Sequence, residues 1–117
     1  MAEAIAAFFD AWSVDGSTRR ASLAQVTATE VYYADPNTPE PLVGVDALDA
    51  YLDMFTRHMP GASARVAHVS EHHGHVRATV DFLNNGAAMM RGQYFADLDA
   101  DGKLVRIVGF TGTGEES

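Results

Sequence analysis

The spacing of apolar residues changes once along this chain, at Pro60-Gly61, and this change restricts the fold more than any other feature. Before that pair, most apolar residues recur at intervals of three and four, the period of a helix that buries one face. After it, apolar and polar residues alternate, as in a strand whose sheet is covered on one side. The sequence therefore predicts an α+β fold with most of its helices first.

Three helices and one strand are predicted before Pro60. The first helix ends at Asp15-Gly16, the second is capped by Ser17, and the third follows Gly44. Residues 27–35, rich in Thr, Val and Tyr, predict a strand, and the three prolines that follow it predict a loop over 36–41. The apolar faces are predicted to consist of Ile5, Phe8, Phe9 and Trp12, then Leu23 and Val26, then Val45, Leu48, Leu52, Phe55 and Met59.

Four further strands are predicted, with turn sequences between them. Their ranges are 63–72, 75–84, 88–98 and 103–112. In the second of them, Val76, Ala78, Val80 and Phe82 are expected to face the helices, whereas Arg77, Thr79 and Asp81 face outwards. A curved sheet with helices on one side encloses a concave space, so a pocket is expected between the two layers.

The charge balance argues against several classes of partner. The 117 residues suit a single domain over 1–117, and 16 acidic against 8 basic residues give a net charge of −8. Such a chain repels phosphate backbones, so no nucleic-acid partner is expected. Cysteine is absent, and neither a leader sequence nor a membrane-spanning run is recognised, so we expect a cytoplasmic protein without disulfides or thiolate chemistry.

Asp35 is the main candidate for chemistry, because it ends the first predicted strand directly before Pro36 and at the expected edge of the pocket. Partial burial makes a carboxylate a stronger base, which suits it to proton transfer. The alternative is structural, since Asp-Pro pairs commonly end strands and begin turns. The sequence leaves both interpretations open.

A histidine-rich turn could bind a metal ion. Glu71, His73 and His75 alternate around the turn, with His68 and His72 nearby. Gly74, however, indicates a tight turn that points the histidines apart, so no metal site is predicted.

A second acidic run imitates a calcium-binding loop. Asp97, Asp99 and Asp101 have the spacing of its opening, but the twelfth position is Val108 instead of glutamate, so a hairpin turn is predicted. We expect no cofactor of any kind.

Several short stretches together resemble the nuclear transport factor 2-like superfamily, above all its SnoaL-like proteins and ketosteroid isomerases. They are residues 9–12 (FDAW), 33–36 (YADP), 44–48 (GVDAL), 98–104 (LDADGKL) and 107–110 (IVGF). The resemblance implies a cone-shaped barrel, formed by a curved, mostly antiparallel sheet with three helices on its concave face. It also implies a frequent pairing of two chains into a homodimer.

The resemblance also suggests which residues act. In ketosteroid isomerases the aspartate before the corresponding proline is a general base, and Asp35 matches it. Those enzymes stabilise the enolate oxygen with a first-helix tyrosine and a protonated aspartic acid. Here the first position corresponds to Phe8 or Phe9 and the second to Tyr94, so only Tyr94 offers a donor, unless it is simply a core aromatic residue.

The remaining candidates concern the pocket and the overall function. His58 could relay protons or interact with carbonyls at its helix end. The resemblance suggests a cofactor-independent isomerase or cyclase acting on a small apolar carbonyl compound; the alternative is a non-catalytic ligand-binding or dimeric interaction module. The enzyme hypothesis expects a cavity of roughly a few hundred Å³ between Asp35 and Tyr94. Its expected lining is Phe8, Trp12, Met54, Phe55, Met90 and Phe110.

Overall fold

The computed structural model describes residues 3–14 and 16–112. Its helices are α1 (Glu3–Asp10), α2 (Gly16–Val26) and α3 (Val45–His58), and a short 3₁₀ turn (Ala11–Ser13) follows α1. Its strands are β1 (Thr27–Ala34), β2 (Leu42–Val43), β3 (Ala62–His72), β4 (His75–Asn84), β5 (Ala87–Leu98) and β6 (Leu104–Thr111). The five longer strands lie within one residue of their predicted bounds, and α3 follows Gly44 as predicted. The first helix is shorter than predicted, since it ends at Asp10 and the 3₁₀ turn ends at Ser13.

The strands form one curved sheet in the order β2-β1-β6-β5-β4-β3. All neighbouring pairs are antiparallel except β1 and β6, which run parallel. The sheet is open, with β2 and β3 at its edges, so the predicted barrel does not close. The α+β class, the three helices and the mostly antiparallel curved sheet are confirmed.

The core lies between the helices and the concave face of the sheet. The predicted stripe of the first helix is fully buried, although Trp12 belongs to the 3₁₀ turn and not to α1. Leu48 and Leu52 of α3 are buried too. In β4 the four residues predicted to face the helices are each less than 9% exposed, namely Val76, Ala78, Val80 and Phe82. The period-two prediction for this strand is therefore confirmed.

Asp81 lies on the outward-facing side of β4, yet it is only 7% exposed. Arg91 Nε lies 2.7 Å from Asp81 Oδ1, and Arg65 Nη2 lies 3.1 Å from Oδ2. Hydrogen bonds from Arg91 and then Arg65 lower the pKa of the Asp81 carboxyl. Asp81 is thus covered by two arginine side chains from the neighbouring strands.

The histidine-rich turn between β3 and β4 is stabilised by its own contacts. Gly74 has a positive φ of 79°, which glycine adopts easily. His75 Nδ1 lies 2.6 Å from Asp97 Oδ1 on the adjacent strand, while the Nδ1 atoms of His72 and His73 lie 2.9 Å apart. Within residues 3–14 and 16–112, no three His, Asp or Glu side chains are grouped as metal ligands.

Among the helices of the described ranges, none is long and apolar enough to cross a membrane. The cellular compartment and the pairing of two chains stay predictions.

Candidate functional site

A cavity of about 70 Å³ lies between α3, the loop after β1 and one end of the sheet. Its lining is mostly apolar, and Asp35, Tyr51 and Tyr94 supply polar groups. This volume is below the predicted few hundred Å³ and below the range of about 300–1,000 Å³ for drug-sized ligands. The cavity therefore suits a small compound, or one end of a larger one.

The Asp35 carboxylate accepts four hydrogen bonds. Its Oδ2 lies 2.5 Å from Tyr33 Oη, and Tyr51 Oη lies 3.0 Å from Oδ2 and 3.1 Å from Oδ1. Two backbone amides donate to Oδ1, those of Asn37 at 2.8 Å and Thr38 at 3.1 Å. These four donors match the roughly four lone-pair positions of a carboxylate. Asp35 is therefore both a turn residue, as one interpretation predicted, and part of the cavity lining.

Three tyrosines connect the carboxylate to the rest of the cavity. Tyr33 donates its hydroxyl proton to Asp35, and Tyr33 and Tyr94 lie close enough to influence each other's pKa. Asp35 and Tyr94 thus line the same cavity, and Tyr33 interacts with both of them.

The pKa values of these three tyrosines lie above the ordinary value of 10.0. Burial is the largest cause for each of them. The charge of Asp35 raises the pKa of Tyr51 further, and the charges of Tyr94 and Asp35 do so for Tyr33. The three hydroxyls therefore remain protonated donors at neutral pH.

We expect the free energy of unfolding to fall as the pH rises above 10. The raised pKa values keep the protons on the folded tyrosines, while the unfolded chain ionises near the ordinary value of 10.0, so high pH favours unfolding. Urea unfolding at about pH 8 and about pH 11 measures the effect. The chain has a single lysine, Lys103, so few other side chains titrate in this window. Tyr51→Phe should reduce the pH dependence, and equal pH dependence in both proteins would contradict the assignment.

Four of the six residues predicted to line a pocket lie around this cavity. Trp12, Phe55, Met90 and Phe110 line the cavity. Phe8 does not: it is completely buried among other aromatic rings, with its ring centroid 4.9 Å from that of Phe9. Its ring also packs against those of Trp12 and Tyr33 in the core.

The helical period explains why Met54 and His58 do not line the cavity. Tyr51 and Phe55 of α3, together with Met59 directly after the helix, recur every four residues and line the cavity. Met54 and His58 form the adjacent stripe, which is exposed and does not line it. His58 Nδ1 lies 2.8 Å from the carbonyl oxygen of Met54 in the last turn of the helix. The helix-end interpretation of His58 is therefore the one that its contacts support.

Sequence reasoning missed Tyr33 and Tyr51 as partners of Asp35. The signal for Tyr33 was available, because residues two apart in a strand lie on the same face. Tyr51 flanks the apolar stripe of α3, and its contact with Asp35 depends on how α3 packs on β1.

Tyr94 owes its position to a glycine on the next strand. Gly109 of β6 pairs with Tyr94 of β5. A Cβ atom built on Gly109 would lie 2.3 Å from Cε2 of the Tyr94 ring, far closer than van der Waals contact. The ring therefore occupies space that a side chain at position 109 would take.

Solved structures with this fold come from several bacteria. A proposed isomerase of the SnoaL-like family from Agrobacterium tumefaciens superimposes with a TM-score of 0.86 at 21% identity, over 95% of this chain and 96% of that one. A proposed ketosteroid isomerase from Kribbella flavida superimposes with a TM-score of 0.69 at 21% identity, over 98% of this chain and 79% of that one. A proposed SnoaL-like polyketide cyclase from Jannaschia sp. CCS1 superimposes with a TM-score of 0.75 at 15% identity, over 93% of this chain and 83% of that one. At these identities the likeness shows the fold alone.

The amino-acid sequence itself identifies the family to which the chain belongs. No curated protein matches it. The model of the SnoaL-like domain matches residues 5–107, which is most of the chain and includes α3, β1 and the greater part of the sheet. The chain therefore belongs to the SnoaL-like domain family.

Proposed function

We propose that this protein binds a small apolar carbonyl compound and moves a proton to and from its α-carbon through Asp35. This is the chemistry of a cofactor-independent isomerase or cyclase. The observation that carries the proposal is the position of the Asp35 carboxylate on the lining of a mostly apolar cavity, shared with Tyr94. Similar structures named as proposed isomerases and cyclases agree with it.

Proton transfer requires that Asp35 release one of its four hydrogen bonds. Tyr51 is the partner best placed to leave, because its hydroxyl is shared between both carboxylate oxygens at 3.0 and 3.1 Å and its side chain is half-buried on the lining. In this mechanism the α-proton passes to Asp35, and the C–H electron pair forms the enolate. The Tyr51 hydroxyl turns to the enolate oxygen, and Asp35 returns the proton to the same or a conjugated carbon.

A second candidate function is ligand binding without catalysis. The complete set of donors around Asp35 favours it, since a carboxylate with every acceptor position filled also serves as a fixed anchor for the loop after β1. Under this alternative the tyrosines hold the carboxylate in place, and the cavity only selects the ligand.

Hydrogen–deuterium exchange at the α-carbon distinguishes the two candidates. Small ketones and β-diketones are incubated with the protein in heavy water, and loss of the α-proton signal is followed by NMR. Faster exchange than in buffer is expected for at least one compound. A compound that raises the melting temperature without any acceleration would overturn the catalytic proposal in favour of the binding module.

A further inference from the structure

Three exposed apolar side chains border the cavity, and we refer to them together as the apolar rim. They are Met89, Met90 and Phe110, which belong to the cavity lining and yet are 51%, 42% and 55% exposed. A single exposed apolar residue is ordinary on a protein surface, whereas several that lie together beside a cavity indicate a binding surface.

An irregularity in β5 explains how two consecutive methionines come to lie on the rim. Met90 pairs with Phe82 of β4. The next pair is Ala88 with Leu83, so the register passes over Met89 and a β-bulge results. Neighbouring residues of a regular strand point to opposite faces of the sheet, and a bulge re-aims one of the two side chains. Both methionines can therefore line the same cavity.

The methionines of the rim lie two strands away from Asp35. Asp35 directly follows β1 and the methionines belong to β5, with β6 between these two strands in the sheet. Neighbouring strands are about 4.8 Å apart, so about 10 Å separates the two parts of the backbone. The cavity of about 70 Å³ holds only one end of a ligand that spans this distance. The rest of such a ligand would lie on the rim.

The charges around the cavity favour an uncharged ligand. Asp35 is the single charged residue in the lining that the described chain forms, and the whole chain carries a net charge of −8. A carboxylate or phosphate on the ligand would therefore be repelled. Methionine side chains, in contrast, adapt to apolar groups of varied shape.

We propose that the apolar rim binds an extended, uncharged apolar tail of the ligand, while the carbonyl end of the same ligand occupies the cavity beside Asp35. The inference rests on the proposed function for the carbonyl end. It adds the length and the polarity of the remaining part, which the proposed function leaves open.

Methyl ketones that differ only in the length of their chain test the rim. Methyl octyl ketone is expected to bind at least about tenfold more tightly than methyl ethyl ketone, because each methylene group that leaves water strengthens binding about threefold. Replacing Met89 and Phe110 together with serine should remove most of this preference and leave the binding of methyl ethyl ketone unchanged. Met54→Ser is the matched control, since Met54 is 57% exposed and lies outside the lining.

Methyl-¹³C labelling of methionine tests the same contact in the natural protein, so the result does not depend on how well the variants fold. The chain has five methionines, and the signals are assigned by single substitutions. The signals of Met89 and Met90 should shift further with methyl octyl ketone than with methyl ethyl ketone. The signal of Met54 should shift with neither.

Equal shifts with the two ketones, or an equal loss of preference in Met54→Ser, would overturn the rim as the site of the tail. Met89 shifts that follow protein concentration without any ketone would assign the rim to contact with a second copy of the chain, and would overturn the proposal as well. Failure of the proposed function is recognised separately. Binding that depends on chain length without α-proton exchange removes catalysis and leaves the rim, whereas exchange that is independent of chain length removes the rim alone.

Discussion

Replacing Asp35 with asparagine is expected to lower the rate of α-proton exchange by at least about 100-fold. The asparagine oxygen can still accept the backbone amides of Asn37 and Thr38, so the turn after β1 keeps its hydrogen bonds. The amide cannot take a proton at neutral pH, however, and its NH₂ group meets the Tyr33 hydroxyl in place of an acceptor oxygen. NMR exchange rates for the ketone that reacts fastest measure the effect.

Asp99 provides the matched control. Its Oδ1 accepts the backbone amides of Asp101 and Lys103, each at 2.9 Å, in a turn like that of Asp35, and no tyrosine is hydrogen bonded to it in the described chain. Asp99→Asn is expected to leave the exchange rate unchanged. An equal loss of exchange rate in both variants would show that the effect comes from a less stable turn. An unchanged exchange rate in Asp35→Asn would exclude Asp35 as the base.

Replacing Arg19 with methionine is expected to lower the free energy of unfolding by about 2–4 kcal/mol. Arg19 is 2% exposed, and its guanidinium connects three groups. It donates to Asp49 at 2.9 Å, to Asp53 at 3.1 Å and to the carbonyl oxygen of Val14 at 3.2 Å. Methionine fills part of the space but leaves Asp49 without its cation, while Asp53 keeps its pair with Arg57. The buried polar connection between α2 and α3 is then lost.

Arg20 is the control for Arg19, since it is the next residue of α2 and also pairs with an aspartate of α3. Its side chain is 53% exposed and that of its partner Asp46 is 83% exposed. A pair in water contributes little, so Arg20→Met should change the free energy of unfolding by less than about 1 kcal/mol. Urea unfolding compares the two variants. Similar changes in the free energy of unfolding would show that the burial of Arg19 contributes no additional stability.

The sequence predicted the secondary structure closely, because the apolar period is a local property of the chain. It missed β2, whose two residues pair with Tyr32 and Tyr33 after a loop containing three prolines. Two residues cannot show a period, so only the sheet partner defines this strand. It also gave no sign that Arg19 is buried, because that depends on where α3 places Asp49 and Asp53.

The candidate site was predictable in part for the same reason. Asp35 could be recognised from a local motif and Tyr94 from the family resemblance, and the structure brings them to one cavity. The choice between Phe55 and Met54 required the rotation of α3 about its axis, which a broad apolar stripe does not determine. The contact between Tyr51 and Asp35 joins two elements 16 residues apart, and no local pattern encodes it.

The close approach of Gly109 to Tyr94 has a consequence for how this site can vary among related chains. Because a Cβ atom at position 109 would lie 2.3 Å from the Tyr94 ring, a side chain there and a tyrosine at 94 exclude each other. The two positions must therefore change together: a relative with a larger residue at 109 has to carry a smaller one at 94. Such a relative would lose the Tyr94 hydroxyl, so a substitution on β6, outside the cavity lining, can remove one of the cavity's polar groups.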